Sequence, residues 1–143
     1  MRLDHVVLWV EDPLRSVDFF ERVVGLTPVR VQEFRDGKCP FPSMRVSEDS
    51  IIDLMARVAA PIVNGMAGKI HERVGASAGH LVNHVCLAMT KAEFEALRTR
   101  LAENGAPIGG AMTSSFGARG LAPHTFYFSD PDGNVLEARY YDE

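Results

Sequence analysis

Two histidines and two carboxylates stand in strand-like segments that are otherwise apolar. His5 and His84 each open such a segment, and Asp53 and Glu137 each interrupt one. A carboxylate buried without a partner is costly, so each needs a cation or a hydrogen-bond donor. Neutral imidazole and carboxylate are suitable ligands for Zn²⁺, Ni²⁺, Mn²⁺ or Fe²⁺. The four residue types therefore predict a divalent-metal centre. The alternative for Glu137 is a partly exposed salt bridge, with Arg139 or with an arginine from elsewhere in the chain.

An internal repeat relates the two histidines. The segment LDHVVLWV (3–10) resembles VNHVCLAM (82–89), and the match aligns His5 with His84 at an offset of 79 residues. A histidine precedes an apolar strand in both copies. Self-similarity at a fixed offset is the signature of duplicated structural units, so a second matching pair of segments is expected.

The two carboxylates supply that second pair. SIIDLMAR (50–57) resembles NVLEARYY (134–141), and the match aligns Asp53 with Glu137 at an offset of 84 residues. Chance similarity of apolar patterns is the competing interpretation. The two offsets differ only by a short insertion, and histidine matches histidine while carboxylate matches carboxylate, so a duplicated unit is favoured.

Each copy predicts a helix after its first strand. In the segment 12–25, Asp12 suits the N-cap of a helix that ends at a glycine. In the segment 90–105, Thr90 and Glu93 have the spacing of a capping box, and a glycine again ends the segment.

Between its helix and its last strand, each copy has room for two more strands. The patterns place them at about 28–35 and 42–48 in the first copy, and at about 108–115 and 123–129 in the second. Each copy is thus βαβββ. The predicted fold class is α+β, with two paired βαβββ modules that form a cupped mixed sheet and helices on its outer face.

We expect a single domain over 1–143, with module 1 at about 1–57 and module 2 at about 82–143. The crossing segment at about 58–81 belongs to neither repeat, and its glycines and alanines predict an irregular connection. It is interpreted either as a solvated connector or as a lid over the site. It also carries His80, which rivals His84 as a ligand but lacks its in-strand register.

Strand alternation predicts which side chains share a face. Trp9 lies with His5, and Arg139 lies with Glu137, whereas the opposite faces are apolar and are expected to pack under the helices. The predicted substrate pocket is lined by Trp9, Tyr127 and Arg139. The sequence does not decide whether the face that carries Phe126 and Phe128 belongs to the pocket or to the core.

The composition excludes several classes of partner. The 143 residues are 46% hydrophobic with a net charge of −4 and no basic cluster, which argues against nucleic acid and anionic membranes. No apolar stretch reaches the length of a membrane span, so we expect a cytoplasmic protein. Cys39 and Cys86 lack metal-site or redox-motif spacing and are expected to be reduced, with Cys86 in the core.

Two long motifs resemble the vicinal oxygen chelate superfamily, which includes glyoxalase I, extradiol dioxygenases, fosfomycin-resistance enzymes and bleomycin-resistance proteins. DHVVLWVEDPLRSVDFFERVVGL is similar to its first strand and helix, and FYFSDPDGNVLEARYY to its last two strands. In the second motif the Asp130–Gly133 turn is followed, four residues after the glycine, by Glu137. We expect the turn residues to be structural.

The resemblance implies a divalent metal ion and, in many members, a homodimer. By position, His5, His84 and Glu137 match the shared ligands. Asp53 matches a fourth ligand that is usually glutamate in glyoxalase I-like members. Because aspartate is one methylene shorter, direct coordination, binding through water and a role as a base are all open for Asp53.

The predicted function is that of a glyoxalase-like lyase or isomerase acting on a small substrate with vicinal oxygens. The metal ion would polarise a carbonyl while Asp53 or Glu137 moves a proton. An extradiol-type Fe(II) dioxygenase is an alternative, although the region before Tyr127 lacks the histidine of that signature. A fosfomycin-type transferase would use Arg119 and Arg139. A metal-free drug-binding or metabolite-binding protein is the alternative of another class.

Overall fold

The computed structural model of the protein describes residue 3 and residues 5–61, 84–117 and 119–142. The chain divides into two compact units, unit 1 (Met1–Arg22 and Leu26–Val82) and unit 2 (Val23–Gly25 and Asn83–Glu143). Most of the predicted crossing segment, including His80, lies outside the described residues. Among the residues that are described, no helix combines the length and the apolar character needed to cross a membrane.

The N-terminal half of the chain builds one four-stranded sheet in the order β1-β4-β3-β2. Strands β1 and β4 are parallel, and the other neighbours are antiparallel. The elements are β1 (His5–Val10), α1 (Pro13–Phe19), a π-helical turn (Phe20–Val24), β2 (Thr27–Val29), α2 (Val31–Arg35), β3 (Ser43–Ser47), β4 (Ser50–Ala56) and a 3₁₀ turn (Arg57–Ala59).

The C-terminal half builds a second four-stranded sheet in the order β5-β8-β7-β6, again with one parallel pair, β5 and β8. Its elements are β5 (Val85–Ala88), α3 (Lys91–Glu103), β6 (Ile108–Gly117), β7 (Gly120–Ser129) and β8 (Val135–Arg139). The two sheets have the same strand order and the same pattern of parallel and antiparallel pairs. The predicted duplication of a βαβββ module is therefore confirmed.

One predicted strand is wrong over most of its length. The segment predicted at 28–35 is a strand only at Thr27–Val29, and Val31–Arg35 is a helix. Arg30 takes a left-handed φ of 62°, which ends the strand and turns the chain. Val31 and Phe34 stand three residues apart, a spacing that puts both side chains on one side of a helix but on opposite faces of a strand.

Both predicted helix starts are confirmed. The Asp12 side chain accepts hydrogen bonds from the backbone N–H groups of Leu14 and Arg15, at 2.9 and 3.2 Å. Thr90 and Glu93 form both halves of the capping box. These backbone and side-chain hydrogen bonds from Thr90 lower the pKa of Glu93.

The apolar face of the second sheet packs under α3. Phe94 of this helix lies 4.8 Å from the ring of Phe126 and 5.0 Å from that of Tyr140, measured between ring centroids. Phe126 and Phe128 are both buried, at 2% and 3% exposure. Their face of β7 therefore belongs to the core, which leaves the other face of the sheet for the polar residues.

Candidate functional site

Glu137 is 2% exposed and pairs with two side chains of unit 2. Arg139 Nη2 donates to its Oε1 at 2.5 Å, and His84 Nε2 lies 3.2 Å from its Oε2. The salt bridge that the sequence offered as the alternative to a metal is present with Arg139, but it is buried rather than partly exposed. The two carboxylate oxygens thus have different neighbours.

The strand register explains why these side chains meet. Glu137 of β8 is the register partner of Cys86 on β5 and of Tyr127 on β7. Register partners on neighbouring strands point to the same face of a sheet. We call this surface the polar face of unit 2, defined by His84, Cys86, Tyr127, Glu137 and Arg139.

Cys86 is exposed, so the prediction that it belongs to the core is wrong. Its side chain lies on the polar face, whereas its neighbour Leu87 turns toward the core and is 7% exposed. Cysteine counts as an apolar residue, so the apolar sequence of the strand did not reveal that Cys86 occupies a position on the polar face. Burial, and then the charge of Glu137, raise the pKa of the thiol, which keeps it protonated at neutral pH.

Tyr127 contacts His84 edge to face, with ring centroids 5.2 Å apart and ring planes at 87°. Burial, followed by the negative charge of Glu137, raises the pKa of the phenol. Tyr127 is therefore held as a protonated hydrogen-bond donor beside the carboxylate. The predicted role of Tyr127 and Arg139 as lining of a substrate pocket stays a prediction.

A depression of about 270 Å³ opens on the polar face. Arg119 lies at its exposed rim, with its guanidinium carbon 5.3 Å from the ring centroid of Tyr141. The backbone N–H of Arg119 also donates to the Tyr141 hydroxyl at 3.3 Å. The lining residues all belong to unit 2: His84, Cys86, Ala88, Arg119, Glu137, Arg139 and Tyr141.

The predicted DPDG turn holds β8 in register. Asp130 Oδ1 accepts hydrogen bonds from the backbone N–H groups of Asp132 and Asn134, at 2.9 and 2.8 Å. Gly133 takes a left-handed φ of 82° that a side chain would disfavour. Burial raises the pKa of Asp130 despite these hydrogen bonds. As predicted, the turn is structural, and it sets the position of Glu137 four residues later.

Asp53, the repeat counterpart of Glu137, is also paired with an arginine. It is 5% exposed, and its Oδ1 accepts hydrogen bonds from Ser43 Oγ at 2.5 Å and Arg30 Nη2 at 3.2 Å. His5 is exposed on β1 and is the register partner of Ile51, two residues before Asp53. His5 and Asp53 therefore share one face of the sheet of unit 1.

Sequence reasoning missed both partners of Asp53. Ser43 faces Asp53 across β3 and β4, as Tyr127 faces Glu137 across β7 and β8. The two hydroxyl residues are separated by 84 residues, the offset of the two carboxylates, so the repeat could have revealed Ser43. Arg30 gave no such signal, because its side chain reaches Asp53 only through the left-handed backbone turn after β2.

The predicted four-ligand metal centre stays a prediction. Unit 1 carries His5 and Asp53, and unit 2 carries His84 and Glu137. Across the described ranges, no group of three or more His, Cys, Asp or Glu side chains that could hold a metal ion is found. Trp9 is half-buried opposite Met55 on the face of His5, and its role as a pocket wall also stays a prediction.

Gly110 fixes the position of Tyr127. A Cβ at Gly110 would lie 2.5 Å from Cδ2 of the Tyr127 ring, and the backbone there has a φ of +60°. We expect Gly110→Ala to lower the free energy of unfolding by about 2–4 kcal/mol, because left-handed strain and overpacking add. Chemical denaturation measures this loss.

Gly105→Ala is the matched control for that change. Gly105 has a φ of +64° in the same unit, but nothing lies within 4 Å of its added Cβ. In the control, the free energy of unfolding should fall only by the cost of the left-handed backbone conformation, about 1–2 kcal/mol. Equal losses in the two variants would show that Tyr127 is not fixed by this contact.

Solved structures share this fold at low sequence identity. A glyoxalase/dioxygenase from Nostoc punctiforme has a TM-score of 0.68 at 18% identity, covering 99% of this chain and 92% of its own. The oxidase ChaP-H1 has a TM-score of 0.63 at 21% identity, with coverages of 99% and 97%. TnmS3, an antibiotic-binding protein from Streptomyces sp. CB03234, has a TM-score of 0.63 at 16% identity, again with coverages of 99% and 97%.

These neighbours include proteins named as oxidases and one named as a binding protein, so they establish the fold and not the reaction. No curated protein matches the sequence significantly. A family model does match, over residues 2–138, which is nearly the whole chain and includes both copies of the repeat. The duplicated modules, the DPDG turn and this match together place the chain in the Glyoxalase/Bleomycin resistance protein/Dioxygenase superfamily.

Proposed function

We propose that the protein is a divalent-metal-dependent enzyme of this superfamily and that His84 and Glu137 are two of its metal ligands. The distance of 3.2 Å between His84 Nε2 and Glu137 Oε2 carries the proposal. Two ligands at right angles on one ion, each about 2.1 Å from it, are about 3.0 Å apart. The imidazole is 31% exposed and lines the depression, so an ion can reach it.

Arg139 supports this role of Glu137. It holds Oε1, which leaves Oε2 on the side of His84 as the ligand atom. Hydrogen bonds of this kind orient ligating carboxylates and are part of the design of metal sites. From the sequence we add His5 as a third ligand, and Asp53 as a fourth that binds directly or through water.

The proposed reaction is a glyoxalase-like proton transfer on a small substrate with vicinal oxygens. A bound divalent ion supplies the Lewis acidity that polarises a carbonyl oxygen. Tyr127, held protonated beside Glu137, can donate a hydrogen bond to a substrate oxygen. One carboxylate, Glu137 or Asp53, would take a proton from a carbon beside the carbonyl and return it to the neighbouring carbon. Each of the two has one oxygen engaged by an arginine.

Metal-free ligand binding is the second candidate, and one observation favours it. Asp53 and Glu137 are both neutralised by an arginine of their own unit, so neither needs an ion for its charge to be balanced. An extradiol-type dioxygenase would use His5, His84 and Glu137 around iron. A fosfomycin-type transferase would use the arginines at the depression, Arg119 and Arg139.

Metal analysis separates these candidates. We expect protein purified without chelator or histidine tag to contain about one equivalent of a divalent metal, or to take one up on titration. His84→Ala and Glu137→Gln should each weaken the binding by more than about 100-fold, because loss of a ligand exceeds the effect of its supporting partners. Elemental analysis and calorimetric titration provide the measurements.

His124→Ala is the control, since His124 is an exposed histidine of unit 2 outside the depression. Wild-type protein that neither contains nor takes up metal would contradict the enzyme proposal and favour the binding protein. Nickel or zinc with turnover of a thiol hemithioacetal supports the glyoxalase-like reaction. Iron with oxygen consumption on catechols favours the dioxygenase instead.

A further inference from the structure

The guanidinium of Arg139 has unused donors. The residue is 5% exposed, and among the described residues its Nη2 donates hydrogen bonds to Glu137 Oε1 and, at 3.3 Å, to Ser115 Oγ. Its Nε and Nη1 are buried and have no hydrogen-bond partner within the described part of the chain. Buried donors in native proteins nearly always have a partner, so a ligand is the natural candidate here.

Thr125, the cross-strand neighbour of Arg139, also has a buried hydrogen-bonding atom without a partner among the described residues. Thr125 is the register partner of Arg139, which places both side chains on one face of the sheet. Thr125 is 2% exposed, and its Oγ1 is also buried, with no hydrogen-bond partner among the residues that the structure describes. The region beside Arg139 is therefore polar and unsatisfied at several adjacent atoms.

The charges around the depression favour an anion. Its lining contains two arginines, Arg119 and Arg139, and one carboxylate, Glu137. The thiol of Cys86 has a raised pKa and adds no negative charge at neutral pH. Burial lowers the pKa of Arg139, but the neighbouring Tyr141 and Glu137 raise it by more, so the guanidinium stays charged.

We propose that the depression of unit 2 binds an oxyanion of the substrate, a carboxylate or a phosphoryl group, through the Nε and Nη1 atoms of Arg139. The planar fork of a guanidinium matches two oxygens of such a group. Arg119, at the exposed rim, adds long-range attraction. This inference rests on the proposed function, because it concerns the same site, and it narrows the substrate to small acids. The oxyanion itself can bind without a metal ion.

The test uses three probes of similar size: benzoate, phenylphosphonate and the uncharged benzyl alcohol. Each is titrated into full-length protein that has been treated with EDTA, and binding is followed by the ¹⁵N–¹H resonances of arginine side chains. We expect at least one anion to shift the Nε–H resonance of Arg139 and benzyl alcohol to leave it unchanged. The two anions distinguish a carboxylate subsite from a phosphoryl subsite.

Variants then locate the binding. Arg139→Lys keeps the charge but loses the fork, and we expect it to weaken anion binding by about tenfold or more, the loss of a charge-assisted hydrogen bond. The double variant Glu137→Gln with Arg139→Met removes both charges together, so no buried charge is left alone, and it should lose the binding. Arg98→Met is the control, because Arg98 is an exposed arginine of the same unit.

The outcomes separate this inference from the proposed function. Anion binding by the EDTA-treated protein, without metal uptake in the metal titration, would support the inference and contradict the proposal of a metal-dependent enzyme. Metal uptake without a shift of the Arg139 resonance would support the metal-dependent enzyme and overturn the inference of an oxyanion subsite. Equal affinities for benzoate, phenylphosphonate and benzyl alcohol, or full retention of binding in the double variant, would overturn the inference.

Discussion

Replacing Arg139 with methionine is expected to lower the free energy of unfolding by about 3–5 kcal/mol. Glu137 is 2% exposed and loses the 2.5 Å salt bridge, which leaves a buried carboxylate with the half-exposed His84 as its remaining ionic partner. Methionine fills a similar volume, so the loss is electrostatic rather than a cavity effect. Urea denaturation of the wild type and the variant measures the difference.

Arg22→Met is the matched control for this change. Arg22 Nη2 lies 3.0 Å from Asp18 Oδ2, but both side chains are more than half exposed, at 60% and 63%. An exposed pair of this kind contributes little to stability, because solvent screens the charges. If the two single variants lost equal stability, burial would not be the source of the strength assigned to the Glu137 pair.

A double variant tests the same point from the other side. Adding Glu137→Gln to Arg139→Met removes the unpaired charge, and we expect part of the lost stability to return. The difference between the single and double variants is a coupling energy that belongs to the pair and not to either residue. A double variant less stable than Arg139→Met would contradict the electrostatic explanation.

Replacing Phe126 with alanine is expected to cost about 3–5 kcal/mol of stability, for a different reason. The ring is 2% exposed, packs 4.8 Å from Phe94 of α3, and lies 6.1 Å from Phe128, between ring centroids. Alanine leaves a cavity between α3 and the sheet that the surrounding rings cannot fill. Urea denaturation again provides the measurement, with the slope of the transition as a check on the denatured state.

Leu121→Ala controls for position on the same strand. Leu121 is 64% exposed on β7, and its removal should change the stability by less than about 0.5 kcal/mol. Because Phe126 lies on the face opposite Glu137, the folded fraction of Phe126→Ala should bind metal as the wild type does. A cost below about 1 kcal/mol would mean that this face of β7 does not form the core under α3.

The repeat made most of the fold predictable. Strand and helix periods differ, so apolar spacing located most of the strands and both capped helices, and the duplication gave the same order of elements along the chain twice. The prediction failed at Val31–Arg35, a short helix in which Val31 and Phe34 have helical rather than strand spacing. The turn at Arg30 depends on a left-handed backbone conformation, and arginine is not a residue type that predicts such a conformation.

The sequence by itself determined which side chains lie together on each face, because strand alternation is a local property of the backbone. It placed Arg139 on the face of Glu137, brought His84 to the same side, and identified the DPDG turn as a structural element before Glu137. Only the tertiary structure decided how the charges pair. Whether Arg139 turns toward Glu137, or Arg30 reaches Asp53 across the sheet, depends on side-chain directions and distances that residue spacing does not encode.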